Sequence, residues 1–190
     1  MKPENRVNLT TVEPVDPFGN VSLIDPDRLA ELSAFRWYVR RYQSGNYVCR
    51  YVHDDGRTQN AFLHHAVFGP VPEGFEIDHR NGNPMDNRRS NLRSATKQQN
   101  NHNSAKAAGC SSPFKGVFFA KRKWCSGARC PRTGRFVGLG LFDPTPYGEI
   151  AAARIYDDFA RMWFGEFARL NFPNDSTAPR SADAQSMQKH

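Results

Sequence analysis

The chain has 190 residues, with 26 Lys and Arg against 19 Asp and Glu and a formal net charge of +7. No apolar stretch is long enough to cross a bilayer and no secretion signal opens the chain, so we expect a soluble protein of the cytoplasm, or of the host-cell cytoplasm if a phage encodes it. The four cysteines, at positions 49, 110, 125 and 130, form no CxxC pair, which argues against a zinc finger or a secreted disulfide scaffold.

The N-terminal part, residues 1–61, is predicted as a β-rich region. Strand-like runs occupy residues 21–24, 37–39 and 47–52, and residues 28–35 are predicted as a short helix. Four arginines of this region are candidates for DNA contact or, equally, for packing support: Arg36, Arg40, Arg41 and Arg50.

The next segment carries a cluster of catalytic residue types at fixed spacing. Asp78 and His79 are followed after eleven residues by Asn91 and after eight more by Asn100. His79 can accept a proton near neutral pH, the neighbouring carboxylate can hold a hard divalent cation, and side-chain amides can orient the ring or complete the coordination. An Asp-His pair beside turn residues is usually just solvated, but the two downstream asparagines favour a nuclease site.

The local pattern around this cluster predicts a hairpin followed by a helix. Phe75 and Ile77 alternate with polar residues as a half-buried strand should, and residues 81–84 are a strong turn signal before a polar loop. Leu92 begins a second short strand. Thr96 is placed as an N-cap, which puts Asn100 in the first helical turn.

Residues 62–103, on the motif Asp78-His79, Asn91 and Asn100, resemble the HNH endonucleases, and most closely the homing-endonuclease branch. The resemblance implies a ββα module, assigned to residues 62–104, that holds one Mg²⁺ or Mn²⁺ ion per active site. It makes His79 the general base, Asp78 and Asn100 the metal ligands, and Asn91 the residue that fixes the loop and the His79 ring. His64 is a secondary candidate for active-site support, with structural packing as the alternative.

A basic segment follows the polar residues 105–112, which are predicted as a flexible linker. Residues 113–142 contain seven Lys and Arg and no Asp or Glu. Three strand-like runs, 114–120, 124–130 and 135–142, predict an antiparallel meander. A helix is predicted from Pro146, capped by Thr145 and ending at Gly165, with an apolar face against the sheet formed by Tyr147, Ile150, Ala151, Ile155 and Phe159.

Residues 113–173 resemble the apetala2/ethylene-response-factor (AP2/ERF) DNA-binding domain, on Gly116-Val117, 139–143, 151–157 and 164–173. The resemblance implies that the exposed sheet face lies against double-stranded DNA. Phe118, Ala120 and Phe136 stand where that family has arginines, so phosphate contact is expected rather than base reading. The predicted DNA-binding residues are Lys115, Lys121, Arg122, Lys123, Trp124, Arg129, Arg132 and Arg135.

Together these patterns predict an α+β protein of three modules with a disordered tail at residues 174–190. The expected function is metal-dependent cleavage of double-stranded DNA, as a homing-type enzyme of a phage or mobile element. The alternative is a DNA-binding or transcription-factor-like protein whose nuclease module has decayed. Nicking as a monomer and paired cutting as a DNA-assembled dimer are equally compatible with one site per chain.

Overall fold

The computed structural model describes residues 6–10, 21–42 and 45–175, which form two compact units divided between residues 100 and 101. Its strands and helices confirm the predicted α+β class. None of the helices within the described residues is long and apolar enough to span a membrane.

The first unit contains a five-stranded sheet in the order β2-β1-β3-β4-β5. The strands are β1 (Arg6–Thr10), β2 (Val21–Leu23), β3 (Trp37–Tyr42), β4 (Gly45–Asp54) and β5 (Arg57–Phe62). β1 and β2 pair in parallel, whereas the β1–β3, β3–β4 and β4–β5 pairs are antiparallel. Helix α1 (Leu29–Ser33) precedes β3, and α2 (Leu63–Phe68) follows β5 directly.

A separate two-stranded hairpin completes the first unit, formed by β6 (Phe75–His79) and β7 (Leu92–Thr96), and helix α3 (Lys97–Asn103) follows it. Ile77 and Leu92 of the hairpin pack in the same buried cluster as Trp37 and Val48 of the large sheet and Leu63 of α2. The predicted cap of α3 is present, since Thr96 Oγ1 accepts a hydrogen bond from Gln99 N at 3.2 Å. The hairpin is therefore built onto the sheet rather than folded around a core of its own.

The second unit is a three-stranded antiparallel sheet in the order β10-β9-β8, with one long helix across it. The elements are β8 (Val117–Ala120), β9 (Lys123–Arg129), β10 (Phe136–Phe142) and α4 (Pro146–Phe164). The predicted start of α4 is present, with Thr145 Oγ1 accepting from Gly148 N at 3.1 Å. Gly165, which follows the last residue of the helix, has a positive φ of 53°, as is common for a glycine that ends a helix.

The predicted apolar face of α4 is correct at Phe159, which is buried, but wrong at Tyr147, Ile150 and Ile155. Tyr147 is 85% exposed, and Ile150 and Ile155 are also exposed. The buried face is built instead from Ala152, Ala153, Tyr156, Phe159, Ala160 and Phe164. Small alanines let the helix axis approach the sheet closely, so the packing favoured them over the larger residues that set the apolar period.

The segment predicted as a linker, residues 105–112, lies within the second unit and is hydrogen-bonded there. Lys106 Nζ donates to Val117 O at 2.6 Å, and Ser111 Oγ accepts from Phe119 N at 2.9 Å. Ser112 is buried and accepts from Phe114 N at 3.1 Å. Of the predicted tail, residues 176–190 lie outside the described part of the chain.

Candidate active site

The hairpin brings Asp78 and His79 to the end of β6, opposite Arg93 and Leu92 of β7. The loop between the strands, residues 80–91, is tied across its base by Arg80 N, which donates to Asn91 O at 2.8 Å. Within the loop, Asn81 and Asn83 accept from backbone N–H groups two residues further on, at 2.8 and 3.0 Å. These Asx turns explain why an asparagine-rich sequence folds into an ordered loop here.

His79 is a buried imidazole with a depressed pKa. Its Nε2 lies 3.3 Å from Asn87 Oδ1. Burial is the largest influence and lowers the pKa of His79, while the bond to Asn87 and the charges of Asp78 and Asp86 oppose it. The ring is therefore neutral at pH 7 and can accept a proton, as a general base must.

Asn91 clasps the loop from both sides. Its Oδ1 accepts from Asn81 N at 3.0 Å and its Nδ2 donates to Asp86 O at 2.7 Å. This geometry agrees with the loop-fixing half of the role predicted for Asn91. The hydrogen bond from the His79 Nε2 side of the ring, however, goes to Asn87.

The two predicted metal ligands are held by charged neighbours. Asp78 is buried, and its Oδ2 accepts from Arg93 Nε at 2.8 Å in a buried ion pair. Asn100 donates from Nδ2 to Glu76 Oε2 at 2.7 Å, which directs its carbonyl oxygen away from that carboxylate. Because Glu76 and Asp78 are two residues apart on β6, they share one face of the strand.

The donor chemistry of this face suits a hard divalent ion that keeps several waters, since Mg²⁺ takes only one or two protein carboxylates. Asp78 and Asn100 would supply the oxygen ligands. Among residues 6–10, 21–42 and 45–175, no group of three or more His, Cys, Asp and Glu side chains is placed to hold a metal. The donor set of one carboxylate and one side-chain amide is that of an ion which keeps several waters, as Mg²⁺ does.

His64 forms part of the wall of the site. Its ring stacks on Phe62 with centroids 5.4 Å apart and meets the His79 ring edge-on at 5.4 Å, while Tyr47 lies near both. Burial first, then the nearby His79 and His65, lowers the pKa of His64 to about 3. No hydrogen-bond partner reaches its Nδ1 among the described residues. This environment keeps His64 neutral and packed beside His79.

Sequence reasoning assigned no role to several residues that support the site. Asp86 is buried, accepts from Asn81 Nδ2 at 3.0 Å and forms an ion pair with Arg88 at 2.6 Å. Asn87 contacts His79, and Ser22 of β2 contacts Asn87. Asp86 and Asn87 lie in the polar loop that follows the predicted turn, but nothing in the sequence points from Ser22 to a residue 65 positions away.

The predicted DNA-binding residues separate into two groups. Six are exposed at the two ends of β9: Lys121, Arg122, Lys123, Arg129, Arg132 and Arg135. Lys115 is used within the unit, since its ammonium donates to the carbonyl oxygens of Asn101, His102 and Ser104 at 3.3, 2.6 and 2.6 Å. Burial lowers the pKa of Lys115 to about 8. Trp124 packs against the buried cluster under α4 and meets Phe119 at 4.9 Å.

Comparison with known proteins adds an independent observation. A family model described as HNH endonuclease matches residues 63–102. The chain is 31% identical over 157 residues to an uncharacterized HNH endonuclease of Acanthamoeba polyphaga mimivirus, covering 80% of this chain and 75% of that protein. It is 36% identical over 58 residues to "Protein 3.8" of Escherichia phage T7, covering 30% of this chain and 48% of that protein. No solved structure gives a significant match.

These comparisons contain no evidence for the AP2/ERF resemblance of residues 113–173, which stays a prediction. The matched segment, residues 63–102, contains the Asp78, His79, Asn91 and Asn100 motif.

Proposed function

Since the chain belongs to the HNH endonuclease family, we propose that it hydrolyses phosphodiester bonds of double-stranded DNA at the His79 site. HNH nucleases generally use divalent metal ions. In this chain one Mg²⁺ or Mn²⁺ ion per active site would be held by Asp78 and Asn100. Both relatives are viral proteins, and we assign this chain to a homing-type enzyme of a phage or mobile element that acts in the host cytoplasm.

The chemistry assigned to this chain is a water attack assisted by His79. The neutral ring takes the proton of the attacking water, and burial in the wall formed with His64 supports that role by keeping the ring uncharged at pH 7. Asn91 holds the loop that carries the site. A divalent ion held by Asp78 and Asn100 would polarise the scissile phosphate and stabilise the charge on the leaving 3′ oxygen. With a proton from solvent on that oxygen, the products would carry 5′-phosphate and 3′-hydroxyl ends.

The second unit is the DNA grip in this proposal. Its six exposed cations lie in two groups at opposite ends of β9, a strand of seven residues and hence about 20 Å long. Two groups at that separation can reach phosphates on both sides of a groove. Neutralising about six phosphates makes the logarithm of affinity fall with the logarithm of salt at a slope of about −5.4.

The open face of this sheet supports phosphate contact rather than base reading. Where the AP2/ERF family carries arginines, this face carries Phe118 and Phe136, and Leu141 beside them is 70% exposed. Phe136 lies over Gly127, where even a Cβ atom would be 2.1 Å from the ring. We therefore assign this unit a sequence-tolerant hold on the duplex, with Lys115 and Trp124 outside the contact set.

The observation that carries the proposal is one hairpin with Asp78 and His79 at the end of its first strand. Asn91 is hydrogen-bonded within the loop of this hairpin, and Asn100 lies on helix α3, which follows it. The test is relaxation of supercoiled plasmid with Mg²⁺ or Mn²⁺. His79→Ala is expected to lose cleavage while a gel shift shows unchanged binding. His53→Ala, which alters an exposed histidine of β4, is the matched control and should cut like the parent.

Two results would contradict the proposal. Cleavage by His79→Ala at the parent rate would remove the base assignment. Binding by the parent without strand breakage, across both metals, would favour the non-catalytic DNA-binding alternative. Mapping break positions on each strand then distinguishes nicking by a monomer from paired cutting by a dimer.

A further inference from the structure

A chain of polar side chains links β2 of the five-stranded sheet to the imidazole of His79. Ser22 Oγ donates to Met85 O at 2.9 Å, and Asn87 Nδ2 donates to Ser22 Oγ at 2.9 Å and to Pro84 O at 3.1 Å. Asn87 Oδ1 then lies 3.3 Å from His79 Nε2. Ser22 is 0% and Asn87 1% exposed, so bulk water does not compete for these groups.

Each link in this chain has a fixed direction. A backbone carbonyl only accepts, so Met85 O takes the single hydroxyl proton of Ser22, and the Ser22 oxygen must then accept from Asn87. Pro84 O likewise requires a donor from the Asn87 amide. Two independent acceptors therefore identify Nδ2 as the amide end that faces away from His79. The end that faces the ring is the oxygen, and an oxygen there needs a proton on Nε2.

Resting on the proposed role of His79 as the base, we infer that Asn87 and Ser22 are positioning residues that hold His79 in the Nε2–H tautomer. A neutral imidazole carries one proton, so the basic lone pair is then on Nδ1. Nδ1 is the atom that accepts the proton of the attacking water. The family resemblance assigned the fixing of the His79 ring to Asn91, but the Asn91 side chain is hydrogen-bonded to the backbone of Asn81 and Asp86.

The same contacts give the N-terminal sheet a function in catalysis. Leu23 N donates to Met85 O at 2.9 Å and Asn87 N donates to Leu23 O at 2.8 Å, so β2 pairs with the loop through its backbone. Leu23 and Asp86 form a parallel bridge at this point. The edge strand thus fixes where the Asn87 backbone lies, and Ser22 fixes how its amide is turned.

The direct test is the tautomer of His79 in the intact protein, measured by long-range ¹H–¹⁵N correlation of the imidazole with a His79→Gln variant for assignment. The parent should show the proton on Nε2. A proton on Nδ1 in the parent would overturn the inference whatever the cleavage activity. If the proton is on Nε2 but His79→Ala still cuts, the proposed function fails while the tautomer assignment stands.

Two substitutions of Asn87 separate ring positioning from loop anchoring. Asn87→Asp keeps an acceptor for Nε2–H but loses both donors, whereas Asn87→Ala loses the acceptor as well. We expect Asn87→Asp to retain the Nε2–H tautomer, and Asn87→Ala to give a mixture and a kcat lower by about 10–100-fold at unchanged KM. Equal loss in both variants with the parent tautomer in each would assign Asn87 to loop structure alone and refute the positioning role.

Ser22→Ala tests the anchor from the sheet. It should weaken the tautomer preference and lower kcat by about 3–10-fold, a smaller effect because Pro84 O still holds the amide. Ser126→Ala removes a hydroxyl of the same size that is also buried and has no hydrogen-bond partner among the described residues. This control should leave tautomer and kcat unchanged. An effect of Ser22→Ala no larger than that of Ser126→Ala would remove Ser22 from the inference.

Discussion

Mild acid is expected to destabilise the first unit through His64, the buried histidine beside His79. Burial, with smaller contributions from His79 and His65, lowers the pKa of His64 from 6.5 to about 3 in the folded protein. The unfolded chain returns this pKa to its ordinary value. Between the two values the unfolded state binds a proton that the folded state does not, so the free energy of unfolding falls as the pH falls.

The size of the effect follows from the same two pKa values. Integrated from about pH 7 to about pH 5, one such proton lowers the free energy of unfolding by about 2 kcal/mol. His64→Leu removes the titrating group together with a ring nitrogen that has no hydrogen-bond partner in the described part of the chain. On acidification between those pH values, the free energy of unfolding of the variant should therefore fall by about 2 kcal/mol less than that of the parent.

Urea unfolding at the two pH values measures this difference. Fluorescence of Trp37, in a background with Trp124→Phe and Trp163→Phe, reports the first unit because Trp37 is buried in its core. Val67→Ala, in the same helix as His64, is the control: it creates a cavity and should cost a similar amount at both pH values. If the parent and His64→Leu lose equal stability on acidification, the reasoning is refuted.

Three further outcomes are expected. Because burial lowers the pKa of His79 and the base must be neutral, the acid limb of the kcat–pH profile should lie below pH 6.5, and a limb above that value would contradict a buried base. Gly116→Ala should lower the free energy of unfolding by about 2–4 kcal/mol, because φ is 76° and the added Cβ would lie 1.8 Å from the Tyr156 ring. The control Gly134→Ala, at φ 67° with no atom near the added Cβ, should lower it by about 1 kcal/mol, and thermal unfolding measures both. Replacing Lys121 and Arg122 of the β8–β9 turn, together with Lys123 at the start of β9, by alanine should make the salt slope of DNA binding shallower by about 2.7, measured by fluorescence anisotropy. An unchanged slope would remove these three residues from the interface.

The catalytic hairpin was predictable because its signals are local. The alternation around Ile77, the Asn-Gly-Asn-Pro turn and the Thr96 cap each specify structure within a few residues. The ring-holding contact was not, since Ser22 and Asn87 meet only through the tertiary fold. The same is true of β5, whose sequence Arg57–Phe62 lacks the alternation of a half-buried strand and is defined by pairing with β4.

In the second unit, residue type alone misassigned two features that packing decided. Lys115 lies in a basic segment, yet its ammonium group donates hydrogen bonds to three carbonyl oxygens of the same unit. The stripe from Tyr147 to Ile155 has a helical period, yet Ala152 and Ala153 face the sheet. Side-chain size at a close helix–sheet contact and the location of unsatisfied carbonyls are properties of the folded chain, and a linear pattern does not contain them.

Ile77 and Leu92 of the hairpin pack in the same buried cluster as residues of the five-stranded sheet. This shared core determines the smallest segment of the nuclease that can be transferred to another protein and still fold. A segment of about 40 residues rarely folds without metals, disulfides or partners. The two main apolar side chains of the hairpin are also buried against the five-stranded sheet and not within the hairpin. Grafting residues 62–104 onto another DNA-binding protein should yield an unstructured insert. A recombination event that transfers the nuclease activity intact must therefore also transfer the strands that precede the hairpin. The segment that has to be transferred is more than twice as long as the segment that matches the family model, residues 63–102.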